Sequence, residues 1–441
     1  MTTDMNWRRD QDGLGVWPHR GKVAIVGWGM SPVDRRWDGV SMDKTLGAYS
    51  KLAAERALED AGLDASQIDG LLMCPNNMAG AASGSSASWG PSRPYFDAPY
   101  DSEDGLTIVT NNWLRKYWSE LNGVQYAPDQ VPDIGEGLGM AAEAVAQGKC
   151  DYALYIYTAN NLEGRYRRGG ASAQDHAAGP SQWNFPWGGN VIDLQLFTTI
   201  PLRQYLRKYG GEWDDLMAPM ILNEHRNGMM TSWGYYTQNG ASGLTTEEYA
   251  DARPITWPAK IWDYDRPVNA AGAFIITSAE RARDLKQKPI YIMNHNEGGL
   301  NMGRSSHITM DEYEGQMARI AARSYEGSGL KPADIDIFNP YDGFSPFLPF
   351  SLEAFGWHGV GKGDAMAFVN GDISVEGPHP LHSGGGNLGN GRTRTAMYID
   401  GIEQLRGTAG KRQVNVRAET AICAYAPALA PWYLVLSNQP S

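Results

Sequence analysis

A Tyr-Asp pair in the C-terminal part of the chain has the residue types and the setting for proton transfer. Tyr341 and Asp342 follow Asn339-Pro in a turn-rich stretch at the end of a predicted strand, which can expose both side chains. A tyrosine becomes a base only where cations or helix dipoles lower its pKa from about 10. Tyr341 is our first choice as base or proton shuttle, and Asp342 is either a second base or a cap for the following segment.

Two residues of a predicted strand, 290–296, are further candidates. Tyr291 fits a position in the core as well as one in a site. His295 lies beside Glu297 and two glycines, a setting that gives better access to a cleft. There its imidazole would donate to an oxyanion or act as an acid.

A glycine-rich stretch, 383–389, precedes two arginines. It lacks the Lys-Ser/Thr of a phosphate-binding loop, so we interpret it as a turn that brings the backbone close to a substrate. Arginine side chains in such a position hold a carboxylate or phosphate groups. The residues predicted to bind substrate are Gly385, Gly386, Asn387, Arg392 and Arg394.

Cysteine and histidine usage argues against metal and disulfide chemistry. Cys74, Cys150 and Cys423 are too few for a disulfide framework and form no Cys-X-X-Cys pair. His379 and His382 have no acidic or cysteine neighbours in the sequence, so no metal site is predicted.

The elements that must position these groups occur twice along the chain. A helix predicted over 43–60 ends at Gly62, and a second, which begins at Met310, ends at Gly329, 267 residues after Gly62. A predicted helix over 136–148 leads to a strand over 152–158. In the same way, 395–407 leads to a strand over 420–425. The pattern predicts two similar α/β halves, with chance likeness between amphipathic helices as the alternative.

The predicted organisation has a polar N-terminal extension, 1–20, a first half, 21–285, and a second half, 286–441. The first half contains an irregular insertion at about 160–262 that is rich in aromatic residues. Its rings either close over a large apolar ligand or pack the insertion itself.

The amino-acid composition limits the kinds of molecule that the protein is expected to bind and the compartment in which it is expected. The 441 residues carry a net charge of −12 and the sequence pI is about 5.2, which disfavours broad binding to nucleic acid or to anionic membranes. The N-terminus lacks the apolar core of a signal peptide, and no apolar run has the length of a membrane span. A soluble cytoplasmic protein is expected.

Taken together, these pieces resemble the thiolase superfamily, most closely its sterol-carrier-protein-x-like branch. The resemblance covers nearly the whole chain beyond residue 20. It implies an α/β thiolase fold: two pseudo-symmetric mixed-sheet halves layered with helices (αβαβα), plus the irregular loop insertion. The motifs that carry it are Ala57-Leu-Glu-Asp-Ala-Gly-Leu63 followed by Ile68-Asp-Gly, Ala279-Glu-Arg-Ala282, Tyr341-Asp-Gly-Phe344, Ser383-Gly-Gly-Gly-Asn-Leu-Gly389 and the segment 404–414.

The chain departs from the family at the residues that transfer acyl groups. Thiolases use a nucleophilic cysteine at the start of a helix, and the matching stretch here, 130–137, has none. The family's Gly-His-Pro is replaced within 389–395, where related aldolases carry Tyr and His and this chain has Arg392 and Arg394. Only Cys423 matches the second thiolase cysteine, a proton donor; a small buried residue is the alternative.

Without the nucleophile, the resemblance is to aldolases that cleave steroid side chains. It implies retro-aldol cleavage of a 3-hydroxyacyl-CoA to a ketone and a shorter acyl-CoA such as propionyl-CoA. Helix N-termini near 133–137 and 389–395 would stabilise the enolate. The resemblance also implies a homodimer, a separate small zinc-ribbon/OB-fold partner, and CoA as part of the substrate, with no tightly bound cofactor. A thiolase-type acyltransferase and a non-catalytic lipid-binding or scaffold subunit are the alternatives.

Overall fold

Strands at the centre of the protein form one mixed sheet, and a two-stranded ribbon lies apart from it. The computed structural model describes residues 14–74, 109–129, 131–159, 199–295, 309–425 and 432–441. The strands in chain order are β1 (Val23–Met30), β2 (Gly70–Cys74), β3 (Tyr152–Ala159), β4 (Pro254–Thr256), β5 (Ala259–Lys260), β6 (Ala270–Ser278), β7 (Ile290–His295), β8 (Ile337–Asn339), β9 (Thr420–Tyr425) and β10 (Trp432–Ser437).

The sheet consists of two halves with the same strand order. From its outer edge to the centre, the first half runs β2-β3-β6-β1 and the second runs β8-β9-β10-β7. In each half the outermost pair is parallel and the other pairs are antiparallel. The halves meet where β1 pairs with β7 through Ala24–Tyr291 and Ile25–Ile290. The strand topology therefore repeats as the sequence predicts, and the exact boundary at residue 285 stays a prediction.

Matching helices of the two halves begin and end in the same way. Thr45 and Thr309 cap the helices α1 (Leu46–Ala61) and α9 (Met310–Ser328), because each hydroxyl accepts a hydrogen bond from a backbone N–H of the first turn. Both helices end at glycines in the left-handed region, Gly62 (φ 74°) and Gly329 (φ 67°). The helices are α1 (Leu46–Ala61), α2 (Asn111–Tyr117), α3 (Ile134–Ala146), α4 (Ile200–Tyr209), α5 (Trp213–Gly228), α6 (Tyr235–Gln238), α7 (Thr246–Ala250), α8 (Ala279–Ala282), α9 (Met310–Ser328), α10 (Leu348–Phe355), α11 (Ala365–Val369) and α12 (Ala396–Arg406).

Helix α3 lies between the two halves. It contacts β3 and β6 of the first half, and β10, β7 and β9 of the second. Helix α1 packs on β1, β6 and β3 of the first half, α9 packs on β7 and β10, and α12 packs on β7, β8 and β9. This arrangement confirms the predicted layers of helices and mixed-sheet halves. Within the described parts of the chain, no helix is long and apolar enough to cross a bilayer.

The insertion is more regular than predicted. Residues 160–198 lie outside the described residues, but α4, α5, α6 and α7 follow them. Helix α5 contains Pro219, a residue that argues against a helix interior, and nevertheless buries Leu216, Met217, Met220 and Ile221. Burial of an apolar face outweighs the local cost of the proline.

The end of the predicted N-terminal extension belongs to the core. Residues 1–13 lie outside the described residues, but Trp17 is only 2% exposed. Its indole N–H donates to Glu143 at 2.9 Å, and its ring meets the His295 ring edge-on with 5.0 Å between centroids. The extension therefore carries an anchor that its polar composition does not reveal.

Candidate active site

A buried carboxyl group holds the glycine-rich loop, 383–391. Asp342 has no exposed surface. It accepts hydrogen bonds from the Asn387 amide at 3.0 Å and from the Leu388 backbone N–H at 2.7 Å. Burial raises the pKa of Asp342 to about 7, although the hydrogen bonds from Leu388 and Asn387 act in the opposite direction. Asp342 thus binds the loop and titrates in the neutral range, where a general base is most effective.

Arg394 connects this loop to the first half. Its backbone N–H donates to the Asn387 side chain at 2.9 Å, and its guanidinium donates to Asp133 and to the Tyr157 hydroxyl, both at 2.9 Å. Asp133 is the N-cap of α3 and also accepts the Ile134 N–H at 3.0 Å. Arg394 has a positive φ of 59°, unusual for a residue with a side chain. A buried ion pair therefore joins the start of α3 to the segment before α12.

The start of α3 is not the open helix terminus that the sequence analysis expects. The Asp133 carboxylate already occupies it, and side chains pack closely around the first turn. A Cβ on Gly135 would lie 2.6 Å from the Cβ of Trp432 and 2.8 Å from the Tyr398 hydroxyl. The positive charge at this point comes from Arg394 as well as from the helix dipole.

A second buried ion pair, between Arg392 and Asp265, lies beside Tyr341. The Nε of Arg392 donates to both carboxylate oxygens of Asp265 at 2.9 Å, and the Phe344 ring lies against the guanidinium. Tyr341 is only 4% exposed, and a Cβ on Gly343 would fall 2.0 Å from its hydroxyl oxygen. Burial raises the pKa of Tyr341, and Arg392 offsets this only in part. The lowered pKa that a tyrosine base needs is not found, so the phenol is a proton donor at neutral pH.

His295 lies at the other end of α3. Its Nε2 is 3.1 Å from the Glu143 carboxylate, and the hydrogen bond to His295 lowers the pKa of Glu143 to about 2. Asp133 and Glu143 are ten helical positions apart, about 15 Å at 1.5 Å per residue. A Cβ on Gly139 would fall 2.4 Å from the imidazole, so the ring packs directly on the helix. The structure does not bring His295 to Arg394 and Asp342.

Tyr291 and Cys423 are sheet residues. Tyr291 lies at the seam between β1 and β7 and is 6% exposed. Cys423 stands opposite Leu434 of β10 and Asn339 of β8, and a Cβ on Gly401 of α12 would fall 2.6 Å from its sulfur. Burial raises the pKa of the Cys423 thiol well above its usual value. Both side chains fit the core alternative that the sequence analysis left open.

A group of three titratable side chains surrounds Asp342. Atoms of Glu224, Asp342 and His382 that could bind a metal ion all lie within 4.8 Å of one another, and all three residues are buried. Burial lowers the pKa of His382 to about 3, so its imidazole is neutral. The sequence analysis found no acidic neighbours for His382, whereas the fold supplies two.

Several residues of this site were missed from sequence. Asp133 carried a usable signal, because an aspartate just before an alanine-rich helix is typical of an N-cap. Glu224, Asp265 and Tyr157 carried none, because their partners are more than 100 residues away along the chain. Only the fold places them beside the loop.

The comparisons with known proteins agree with this architecture. The family model described as "Thiolase C-terminal domain-like" matches residues 301–426. A solved structure titled "Ltp2-ChsH2(DUF35) aldolase" superimposes with a TM-score of 0.72 at 20% identity, covering 95% of this chain and 98% of the other. That likeness supports the fold.

Two curated proteins are similar in sequence. The "Steroid side-chain-cleaving aldolase" of Thermomonospora curvata is 26% identical over 403 residues, 88% of this chain and 91% of that protein. The "17-hydroxy-3-oxo-4-pregnene-20-carboxyl-CoA lyase" of Mycobacterium tuberculosis is 30% identical over 301 residues, 64% of this chain and 75% of that protein. The chain belongs to the thiolase superfamily. Within it, this thiolase relative falls in the sterol-carrier-protein-x-like branch and resembles the steroid side-chain-cleaving aldolases.

The cysteines of this thiolase relative are not placed for acyl transfer. Cys74, Cys150 and Cys423, the three cysteines of the chain, are all buried, and burial raises the pKa of each thiol. The position of the thiolase nucleophile, at the start of α3, is occupied by Asp133, Ile134 and Gly135. Together with its lyase relatives, this makes the protein a carbon–carbon lyase of the thiolase superfamily.

Proposed function

We propose that this thiolase relative is an aldolase that cleaves the side chain of a steroid-derived 3-hydroxyacyl-CoA. The substrate class is taken from the names of the relatives from M. tuberculosis and T. curvata. The products are a ketone and a shorter acyl-CoA, propionyl-CoA for a branched three-carbon fragment. CoA enters as part of the substrate, no tightly bound cofactor is expected, and we keep the cytoplasm as the proposed location.

The observation that supports this proposal most directly is the protonation state of the three cysteine thiols. Acyl transfer needs a thiolate that can form a thioester, and burial keeps all three thiols of this chain protonated. Aldol cleavage of an acyl-CoA needs no covalent intermediate with the protein. It needs a base, a stabilised enolate and an acid, and the loop around Asp342 provides groups of each kind.

We assign the steps to residues as follows. Asp342 accepts the proton of the β-hydroxyl, the carbonyl forms, and the bond between the α and β carbons breaks, leaving its electron pair in the thioester enolate. The guanidinium groups of Arg392 and Arg394 stabilise the enolate oxygen. Tyr341 protonates the α carbon, and the adjacent Asp342 returns the proton to Tyr341. This order reverses the sequence-based preference for Tyr341 as base, because burial raises its pKa.

The site's remaining predicted members have supporting roles in this proposal. The loop that faces the thioester is shaped by Gly385, Gly386 and Asn387. The Asn387 side chain is hydrogen-bonded to both Asp342 and Arg394, and it therefore connects these two residues. Tyr291, His295 and Cys423 pack within the sheet and along α3, and we assign them no chemical step.

We also propose that the protein works with partners. The similar aldolase structure is titled as an assembly with a DUF35 protein, so a separate small zinc-ribbon/OB-fold chain of this type is the proposed partner. A homodimer remains the proposed state of the thiolase-like chain itself.

The test is turnover by the full chain, co-purified with its DUF35-type partner. Incubation with 17-hydroxy-3-oxo-4-pregnene-20-carboxyl-CoA should yield the 17-ketone and propionyl-CoA, detected by mass spectrometry, without added CoA. The matched reaction with Asp342→Asn should yield neither product. A requirement for free CoA, or an acylated protein trapped during turnover, would show that the chain is an acyltransferase.

A further inference from the structure

A carboxyl group from the insertion reaches the glycine-rich loop beside Asp342. Glu224 lies in the last part of α5 and is 1% exposed. Among the residues that the structure describes, no N–H or hydroxyl group donates a hydrogen bond to either of its carboxylate oxygens. Its acidic neighbour, Asp342, is itself fully buried. Two adjacent carboxylates cannot both remain ionised in such a place without a neutralising proton or cation.

The two arginines of the loop each pair with a carboxylate other than Glu224 and Asp342. Arg392 binds Asp265, and Arg394 binds Asp133. Among the described residues, the one ion-pair contact of Glu224 is with His382, whose Nδ1 is 3.5 Å from a Glu224 oxygen. Burial keeps that imidazole neutral, since it lowers the pKa of His382. Within the described parts of the chain, no cationic side chain therefore neutralises a negative charge on Glu224.

The backbone of Gly386 limits the room for a metal ion between Asp342 and His382. A Cβ on Gly386 would stand 2.1 Å from the Oδ2 of Asp342 and 2.5 Å from the Nδ1 of His382. A metal ion bound by both side chains would lie near that point, at about 2.0–2.2 Å from each donor atom. The Cα of Gly386 is one covalent bond from that point, so an ion cannot occupy it. A proton shared between two carboxyl groups needs no such space.

We propose that Glu224 is protonated in the resting protein and donates a hydrogen bond to the carboxylate of Asp342, acting as a positioning residue for the base. This inference rests on the proposed function only in the experiments that measure activity. The pair then holds one proton and one negative charge. It takes up a second proton transiently when Asp342 accepts the hydroxyl proton of the substrate, and loses it when Asp342 returns that proton to Tyr341.

The groups around Glu224 and Asp342 determine which of the two carboxyl groups holds the proton. Asp265 raises the pKa of Asp342, whereas the donors at Leu388 and Asn387 lower it, as does the hydrogen bond from Glu224. Asp342 in turn raises the pKa of Glu224, so the proton stays on Glu224. In the part of the chain that the structure describes, four other titratable or charged groups lie around the site: His382 beside Glu224, Tyr341 next to Asp342, and the arginines Arg392 and Arg394.

Infrared spectroscopy tests the proposal independently of turnover. The full chain, labelled with 13C at glutamate carboxyl groups, should show a protonated-carboxyl C=O band at about pH 8, well above the normal glutamate pKa of about 4.3. That band should lose intensity in Glu224→Gln and shift in Asp342→Asn. A folded Glu224→Gln protein with the full band intensity would overturn the proposal. If that variant does not fold, an unshifted band in Asp342→Asn would do the same, as would one equivalent of bound metal in the wild-type protein.

The pH dependence of kcat/KM distinguishes a protonated Glu224 from an ionised one. Glu224→Gln keeps a neutral donor, so kcat/KM and its acidic limb should stay within about threefold and about 0.3 pH units of wild type. Glu224→Leu removes the donor, which raises the pKa of Asp342 and moves the acidic limb upward by about one pH unit. A downward shift in Glu224→Gln would mean that an ionised carboxylate had been removed, and would overturn the proposal. Glu376→Gln, in an exposed ion pair with Arg226, is the matched control. Failure of the steroid substrate with the infrared band present would count against the proposed function alone.

Discussion

The guanidinium of Arg394 donates to the carboxylate of Asp133 across the interface of the two halves, at 2.9 Å and with both side chains 4% exposed. Asp133 belongs to the first half, where it caps α3, and Arg394 belongs to the loop before α12 of the second. The same arginine donates to Tyr157 at the end of β3. One residue thus fixes the loop of one half against a helix and a strand of the other.

Breaking that ion pair should cost far more than breaking an exposed one. Asp133→Ala leaves Arg394 buried without its carboxylate and also removes the cap of α3, so we expect about 3–5 kcal/mol of lost unfolding free energy. In a double-mutant cycle with Arg394→Met, measured by denaturant unfolding, the coupling energy should exceed about 2 kcal/mol. The exposed pair Arg226–Glu376 should give less than about 1 kcal/mol in the same experiment. Equal coupling energies for the two pairs would refute this expectation.

The pH dependence of cleavage should report Asp342. Its pKa in the folded protein is about 7, and the base must be ionised, so kcat/KM should fall as pH decreases below about 7. Since the pKa is raised on folding, the group binds its proton more tightly in the folded state. Stability should therefore decrease as pH rises from about 4 to about 7. Asp342→Asn should abolish the acidic limb together with at least about 100-fold of activity. An unchanged profile in that variant would exclude Asp342 as the base.

Tyr341 should act as an acid. Tyr341→Phe removes the hydroxyl, and kcat should fall by about 100-fold or more while binding of the acyl-CoA changes little. Tyr325→Phe is a suitable control, because it removes a hydroxyl that donates a partly buried hydrogen bond to the Phe355 carbonyl, on α9 and away from the glycine-rich loop. Stopped-flow and steady-state assays of both variants provide the comparison. Full activity in Tyr341→Phe would remove this residue from the mechanism.

Gly386 should tolerate no side chain. Its φ is +53°, and a Cβ would collide with Asp342 and His382. We expect Gly386→Ala to lower the unfolding free energy by about 2–4 kcal/mol and to abolish cleavage. Gly240→Ala separates the two causes, because Gly240 has a similar φ of +67° but open space around it, and should cost only about 1 kcal/mol. Thermal unfolding of the two variants measures the difference, and equal losses would mean that backbone strain alone matters at Gly386.

The sequence predicted the elements better than the contacts between them. The paired helices ending at Gly62 and Gly329 were visible because capping and amphipathic spacing are local signals. The candidates Asp342, Asn387 and Arg394 lie together because two nearby segments of the second half carry them. Glu224 could not be found, since its neighbour in space is 118 residues away in the sequence. For His295 the glycines that follow it in the sequence suggested a cleft, and a catalytic role for it stays a prediction, although the structure shows its ring packed against Glu143 and Trp17.

The carboxylate at the start of α3 also bears on how this protein changes over evolution. A cysteine introduced at Ile134 or Gly135 would stand next to Asp133, and a neighbouring negative charge disfavours a thiolate. Cys74 already illustrates the effect, because Asp133 adds to the rise in its pKa. A thiolase-type nucleophile at this helix start would thus require both the new thiol and the removal of the aspartate. Removing the aspartate alone leaves the buried Arg394 without its carboxylate, so a chain that changes in that order passes through a destabilised intermediate.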